Sequence, residues 1–282
     1  MNMNKTKIFL TAAAAAFCFA AAAQNTTEEF QARYERLVRN VGYSGVGVET
    51  LLDRWEEAFP EEMAVPTARF NYYFDKSRRT EVVSKPGLRR YLGNAPTLTL
   101  KDSDGHDVPY FEEPFFDEEL FGEAIKVLDA QIAAKPDELR WHYLKVSALT
   151  AYEKESPDMA ATELRKLIAR NAASRPAWTL DGAPVGADIF QQGIGECCAD
   201  FFQTGSKASY EYFKEISELM SKQYPKNPVF VGNIGSYWQV ARGDDKQAAK
   251  FYKKALKLDP DDYAAKRNLQ IIERRKAAAG KK

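Results

Sequence analysis

The sequence has little histidine and little cysteine, with two histidines and three cysteines among 282 residues. His106 and His142 are therefore the only histidines available to activate a nucleophile, and neither has a recognisable partner. The metalloprotease motif H-E-x-x-H and the nucleophile elbow G-x-S-x-G are absent. We therefore expect a protein without enzymatic activity, cofactor or metal site. A hydrolase that uses paired carboxylates stays open, since sequence does not reveal how acidic residues pair.

The scarcity of cysteine also excludes a disulfide scaffold. Cys197 and Cys198 are adjacent, and a disulfide between neighbouring residues is strained. Two small buried residues of one helix are the plain interpretation, and a redox or metal role is the alternative.

The chain has no excess of charge of either sign, with 40 basic and 40 acidic residues. A near-neutral chain has no general attraction for nucleic acid. Gly42 and Gly47 have the spacing of a phosphate loop, but Val48 and Glu49 stand where lysine and serine or threonine are required. The basic segment 266–282 is typical of a solvated helix end; anionic lipid or an acidic partner is the alternative.

One long apolar run, Ile8–Ala23, follows Lys5 and Lys7 and ends in three alanines before Gln24. This pattern predicts a secretory signal peptide over residues 1–23, since the run is short for a bilayer span. A buried N-terminal helix is the alternative. Nothing after the run is apolar for long enough to span a membrane.

Cys18 is not expected to carry a lipid, because Phe17 precedes it where a lipoprotein signal needs a small residue. We therefore expect a soluble exported protein, periplasmic or secreted, from a Gram-negative bacterium.

A helix near the C-terminus has one regular face. Ala248, Tyr252 and Ala255 are spaced by four and three residues, which places them on one side of a helix. Gly243 begins a turn before the helix and Pro260 stops it. Small residues beside an aromatic ring predict close contact with a second helix.

These residues resemble the second half of a tetratricopeptide repeat, whose signature ends A-x3-F…P. Segment 229–262 is 34 residues long, the length of that repeat. The first half departs from the pattern: Gly232, Gly235 and Gln239 occupy signature positions, and only Ser236 fits well.

Degenerate copies of the pattern recur upstream. They predict an all-α, right-handed α-solenoid of about five helix pairs over residues 24–282, with a capping helix at 263–277. A non-repetitive helical bundle is the alternative. The upstream copies are 48–62, 115–136, 139–153, 157–171, 187–205 and 209–225.

Segment 94–114 breaks the helical pattern and predicts an inserted β-hairpin that turns at Asp102–Gly105. Pro109 indicates an edge strand. Asp102, Asp104 and Asp107 could hold calcium, but Gly105 is at the fourth loop position rather than the sixth. A polar hairpin turn is the better interpretation.

The resemblance implies a concave groove that holds a peptide or a partner's helix. When the groove positions of the family are transferred to this chain by counting along the repeat, they fall on Asn71, Tyr143, Asn233 and Tyr237. Packing between helices is the alternative for each. The lysines with which some members of the family clamp a terminal carboxylate are missing.

The sequence thus predicts an exported, non-enzymatic protein–protein interaction module, with a protein or peptide partner and no nucleic acid. One alternative is a cell-envelope hydrolase or small-ligand-binding protein with a cleft near the hairpin. The other is an assembly factor whose helices bury against an outer-membrane partner.

Overall fold

A computed structural model describes residues 26–279 of the chain. In that range the chain forms eleven helices and a few short strands, so the molecule is mostly helical with a small sheet, as predicted. The predicted signal peptide, residues 1–23, lies outside the described residues. The helices are α1 (Thr27–Val41), α2 (Val48–Ala58), α3 (Ala64–Ser77), α4 (Glu118–Ala134), α5 (Leu139–Glu153), α6 (Asp158–Ser174), α7 (Ala187–Thr204), α8 (Lys207–Gln223), α9 (Pro228–Val240), α10 (Asp245–Leu258) and α11 (Tyr263–Ala279).

Each helix packs mainly against its neighbours in the chain. Contacts join α1 to α2, α3 to α4, α5 to α6, α7 to α8 and α9 to α10, and α11 covers α10. The pairs are stacked, because α5 also contacts α7 and α6 contacts α8. Short turns between consecutive helices make such neighbours antiparallel.

A three-stranded antiparallel sheet interrupts the second pair, between α3 and α4. Its strands are β1 (Arg78–Ser84), β2 (Leu98–Lys101) and β3 (Asp107–Phe116), in the order β1-β3-β2. The chain enters and leaves the sheet at one point, where the Asp117 N–H donates to the Ser77 carbonyl at 2.8 Å. A short hairpin of β4 (Thr179–Leu180) and β5 (Ala183–Pro184) precedes α7.

The hairpin expected over 94–114 therefore corresponds to β2 and β3, and the sequence analysis missed β1. Pro109 lies in β3, which is the central strand, opposite Thr99 of β2. Its carbonyl accepts from the Lys85 N–H at 3.1 Å, just beyond the last pair of the β1–β3 ladder. The missing N–H of proline would face the Lys85 carbonyl, which accepts instead from the Leu88 N–H at 3.2 Å, so the β1–β3 ladder ends at this point.

The last helix pair has the face that the sequence predicts. Ala248, Tyr252 and Ala255 are buried against α9 and α11. The Tyr252 hydroxyl donates to Gln239 Oε1 at 2.7 Å. Gly235 lies against the Tyr252 ring, where an added Cβ would be 2.8 Å from the nearest ring carbon.

Candidate functional site

A cleft of about 860 Å³ opens between α7 and the turn from α8 to α9; we call it the α7 cleft. Its floor is the outer face of α7, and its wall is the chain that leaves α8. The α7 residues are Asp188, Gln191, Gln192, Gly195, Glu196 and Ala199, and the wall is Gln223, Tyr224, Pro225, Lys226, Asn227, Pro228 and Val229. This volume falls in the range of ligand pockets in proteins.

The periodicity of α7 decides which residues face the cleft. Phe190, Ile194, Cys198 and Phe201 return to one side at steps of three or four and are fully buried. Gly193 and Cys197 belong to this buried side, and Gln192, Glu196 and Ala199 on the opposite side are exposed. The cleft is deepened at Gly195, because a Cβ atom built at this position would meet no atom within 4 Å.

The two adjacent cysteines lie on the buried side of α7, as expected for small helix residues, and both are free thiols. Burial raises the pKa of the Cys198 thiol to about 12, so this thiol stays protonated at neutral pH. A protonated buried thiol is a poor nucleophile and a poor metal ligand.

Hydrogen bonds fix the wall of the cleft. Asn227 caps the N-terminus of α9 by accepting from the Val229 N–H at 2.9 Å. The Asn227 side-chain amide donates to Gln191 Oε1 at 2.9 Å, which joins the wall to α7. The Tyr224 hydroxyl accepts from Asn171 Nδ2 of α6 at 2.7 Å. The cleft therefore keeps its shape without a ligand.

The lining of the cleft suits a peptide. Val229 is 49% exposed, and Ala199 and the two wall prolines add apolar surface. Side-chain amides both donate and accept, as the backbone of a bound peptide requires. Gln192 shows the donor function by donating to Glu196 Oε1 at 3.0 Å.

The structure places the four predicted partner-binding residues at separate helix contacts. Tyr143 lies behind α7: its hydroxyl donates to the Phe190 carbonyl at 3.1 Å, and its ring lies against Gly193. Burial raises the pKa of Tyr143. Tyr237 is buried between α8 and α9, where its hydroxyl donates to Glu211 Oε1 at 2.7 Å. Asn233 is half-buried on α9.

Asn71 lines a smaller pocket of about 280 Å³ at the N-terminal end, between α1, α3 and the start of α5. Tyr34 lies beside it, and burial raises the pKa of Tyr34 to about 12. An ion pair between Arg140 and Asp181 forms part of the rim. Asn71 is thus close to α1, whereas Tyr143 contacts α7.

A cleft of about 320 Å³ lies beside the hairpin, between β3, α5 and α7, where the alternative function would need one. The buried carboxylate of β3 is Glu113. It accepts a hydrogen bond from Lys154 Nζ at 2.6 Å and forms an ion pair with Lys85 Nζ at 3.0 Å. Burial would raise its pKa, but the two lysines outweigh burial and hold it below the ordinary value. Glu113 is therefore ionised and anchors the strand through its two lysine partners. A general acid must instead be protonated before it reacts.

The turn at 102–106 brings ligand atoms of Asp102, Asp104 and His106 within 4.8 Å of one another. All three side chains are exposed. Asp102 Oδ1 already accepts from the Asp104 N–H at 2.9 Å and the His106 N–H at 2.8 Å. These bonds shape a polar hairpin turn.

Across residues 26–279, no helix combines the length and the apolar character needed to cross a bilayer. The sequence matches neither a protein-family model nor a curated protein. The crystal structure of MamA protein resembles this chain with a TM-score of 0.41 and 14% sequence identity, over 83% of this chain and 92% of that one. A TM-score of 0.41 is too low to assign this chain to a fold family or to infer its function.

Proposed function

We propose that this protein is an exported, non-enzymatic interaction module that holds a peptide segment of a partner protein in the α7 cleft. The observation that carries the proposal is the cleft itself, an open groove of about 860 Å³ with a hydrogen-bonded wall, apolar surface and side-chain amides. A groove with these properties suits an extended chain that needs backbone hydrogen bonds and apolar anchors.

We further propose that the helix pairs belong to a right-handed, tetratricopeptide-like solenoid. Two observations support this. Consecutive helices pair and the pairs stack, and Ala248, Tyr252 and Ala255 pack as the repeat signature requires. The apolar run at residues 8–23 supports export to the periplasm or the medium.

A peptide-display selection on the protein from Gln24 to Lys282 tests the proposed site. Peptides that bind it are counter-selected on Gly195→Trp, which fills the cleft from a position where a side chain meets nothing within 4 Å. We expect enriched peptides with a Kd of about 1–100 μM for the wild type, weakened at least about tenfold by Gly195→Trp.

Gly122→Trp is the matched control, because Gly122 is an equally open helical position on α4, outside the cleft. Selected peptides should bind this variant like the wild type. Peptides that bind all three proteins equally, or a selection that enriches none, would remove the α7 cleft as the site.

A further inference from the structure

A second candidate surface lies on the side of α10 that faces away from the core, and lysine side chains form most of it. Five lysines of α10 and one of α11 line a groove of about 460 Å³. We call it the lysine groove; its lysines are Lys246, Lys250, Lys253, Lys254, Lys257 and Lys276. All six are exposed.

Helix geometry places these lysines opposite the core. At about 100° per residue, the five on α10 fall within an arc of about 100°, centred roughly 180° from the buried Ala248, Tyr252 and Ala255. From Lys246 to Lys257 the face is about 16 Å long, at ~1.5 Å per residue. The charge is therefore a continuous stripe along one side of the helix.

The lysines of the groove form no ion pair within the described part of the chain, whereas Lys166 on α6 pairs with Glu163 at 2.8 Å. Lysines three and four residues apart on a helix repel one another and destabilise it. Carboxylates from outside would remove that repulsion.

We infer that the lysine groove binds an acidic segment of a partner protein, independently of the α7 cleft. An extended chain rises about 3.3 Å per residue, so about five residues cover the stripe, with carboxylates at alternate positions facing the lysines. The complementary charge supplies both attraction and orientation.

The shape and the surroundings favour a peptide over other polyanions. A helix that binds a bilayer surface needs a large apolar face beside its basic residues, whereas this groove is lined by lysine and a single alanine, Ala249. Single-stranded nucleic acid prefers exposed aromatic rings for base stacking. The aromatic residue beside the stripe, Phe251, is half-buried with the Lys254 ammonium 5.2 Å from its ring centre.

Fluorescence anisotropy with a labelled all-glutamate peptide tests the inference. The groove variant is Lys250→Gln/Lys253→Gln/Lys257→Gln. The control is Lys135→Gln/Lys207→Gln/Lys222→Gln, which removes three exposed lysines elsewhere in the chain and has the same net charge. We expect the groove variant to raise the Kd about tenfold, and the control to leave it near the wild-type value.

Added salt should weaken wild-type binding, since exposed charges are screened, and an all-glutamine peptide should not bind. Equal losses in the two variants would overturn the inference, because net charge alone would then explain binding. So would an absence of binding to the all-glutamate peptide, or tighter groove-dependent binding to oligo-deoxythymidine or to vesicles containing phosphatidylglycerol. Circular dichroism of both variants verifies that they fold. The α7 cleft variant Gly195→Trp should bind the acidic peptide normally.

Discussion

At the scale of single residues, Gly235 accounts for the main difference between segment 229–262 and the tetratricopeptide signature that it resembles. The signature has a leucine at this position, but the Tyr252 ring occupies the space that such a side chain would fill. Tyr252 is 1% exposed and is held by Gln239, so the ring cannot move aside freely. The missing bulk on α9 is thus supplied from α10.

Two glycines of α9 give a matched test of that packing. Gly235→Ala places a methyl group 2.8 Å from the Tyr252 ring, so we expect it to lower the free energy of unfolding by about 1–3 kcal/mol. In Gly232→Ala the nearest atom is 4.0 Å away, and loss of glycine in a helix should stabilise the protein by about 0.5–1 kcal/mol. Urea denaturation of both variants measures the difference. If both variants changed the free energy of unfolding in the same direction, the proposed contact between Gly235 and the Tyr252 ring would be contradicted.

At the scale of the elements, one buried ion cluster attaches the sheet to the helices. Glu113 on β3 is 7% exposed and holds Lys154, which follows α5, and Lys85, which follows β1. Phe116 on the same strand packs against Tyr152 of α5, with ring centres 5.6 Å apart. The sheet is therefore fixed to α5 by charge as well as by apolar contact.

The lowered pKa of Glu113 predicts a pH-dependent stability. A carboxyl group whose pKa falls on folding stabilises the protein above its ordinary pKa of 4.5, and this contribution is lost as the pH falls from there through the lowered pKa of the folded state. Glu113→Gln should cost about 1–3 kcal/mol at pH 7. The difference from wild type should shrink at acid pH.

Glu112→Gln is the control, because Glu112 is the exposed neighbour of Glu113 on the same strand. We expect it to change stability by less than about 0.5 kcal/mol. Denaturation curves of the three proteins between neutral and acid pH provide the measurement. A Glu113→Gln cost that stayed constant over this range would rule out the ion cluster as its source.

At the scale of the whole molecule, the core of residues 26–279 consists of three clusters arranged along the chain. The first joins α1, α2 and α3, the second extends from α3 to α9, and the third joins α9, α10 and α11. Tyr73 contacts the first two clusters, and Trp238 contacts the last two. In stacked helix pairs, stability is held in each unit and its interfaces, so damage at one end is expected to stay local.

Ile272→Ala tests this locality. Ile272 is 1% exposed in the third cluster, so its truncation should cost about 2–5 kcal/mol there. We expect faster amide hydrogen exchange in α10 and α11 and unchanged exchange in α1 to α3. Arg274→Ala, an exposed neighbour on the same helix, should change neither. Uniformly faster exchange throughout the chain would indicate a single cooperative unit instead.

The sequence by itself determined the features that depend on local physics. Helical periodicity predicted the buried face of α10 and the burial of Cys197 and Cys198, and turn residues predicted the β2–β3 hairpin. β1 was not predicted from the sequence because it is an edge strand without a buried face. Six of its seven residues are exposed. A strand of this kind lacks the alternation that marks a half-buried strand.

Only the tertiary structure decided where the clefts lie and which residues line them. The repeat frame selected Tyr143 and Tyr237 as groove residues, but their hydroxyls are bonded within helix contacts. The α7 cleft went unrecognised because its wall comes from the α8–α9 turn, and no local pattern shows that Asn227 will meet Gln191. Periodicity fixes which face of a helix is buried; the angle and spacing between helices fix which exposed residues share a cleft.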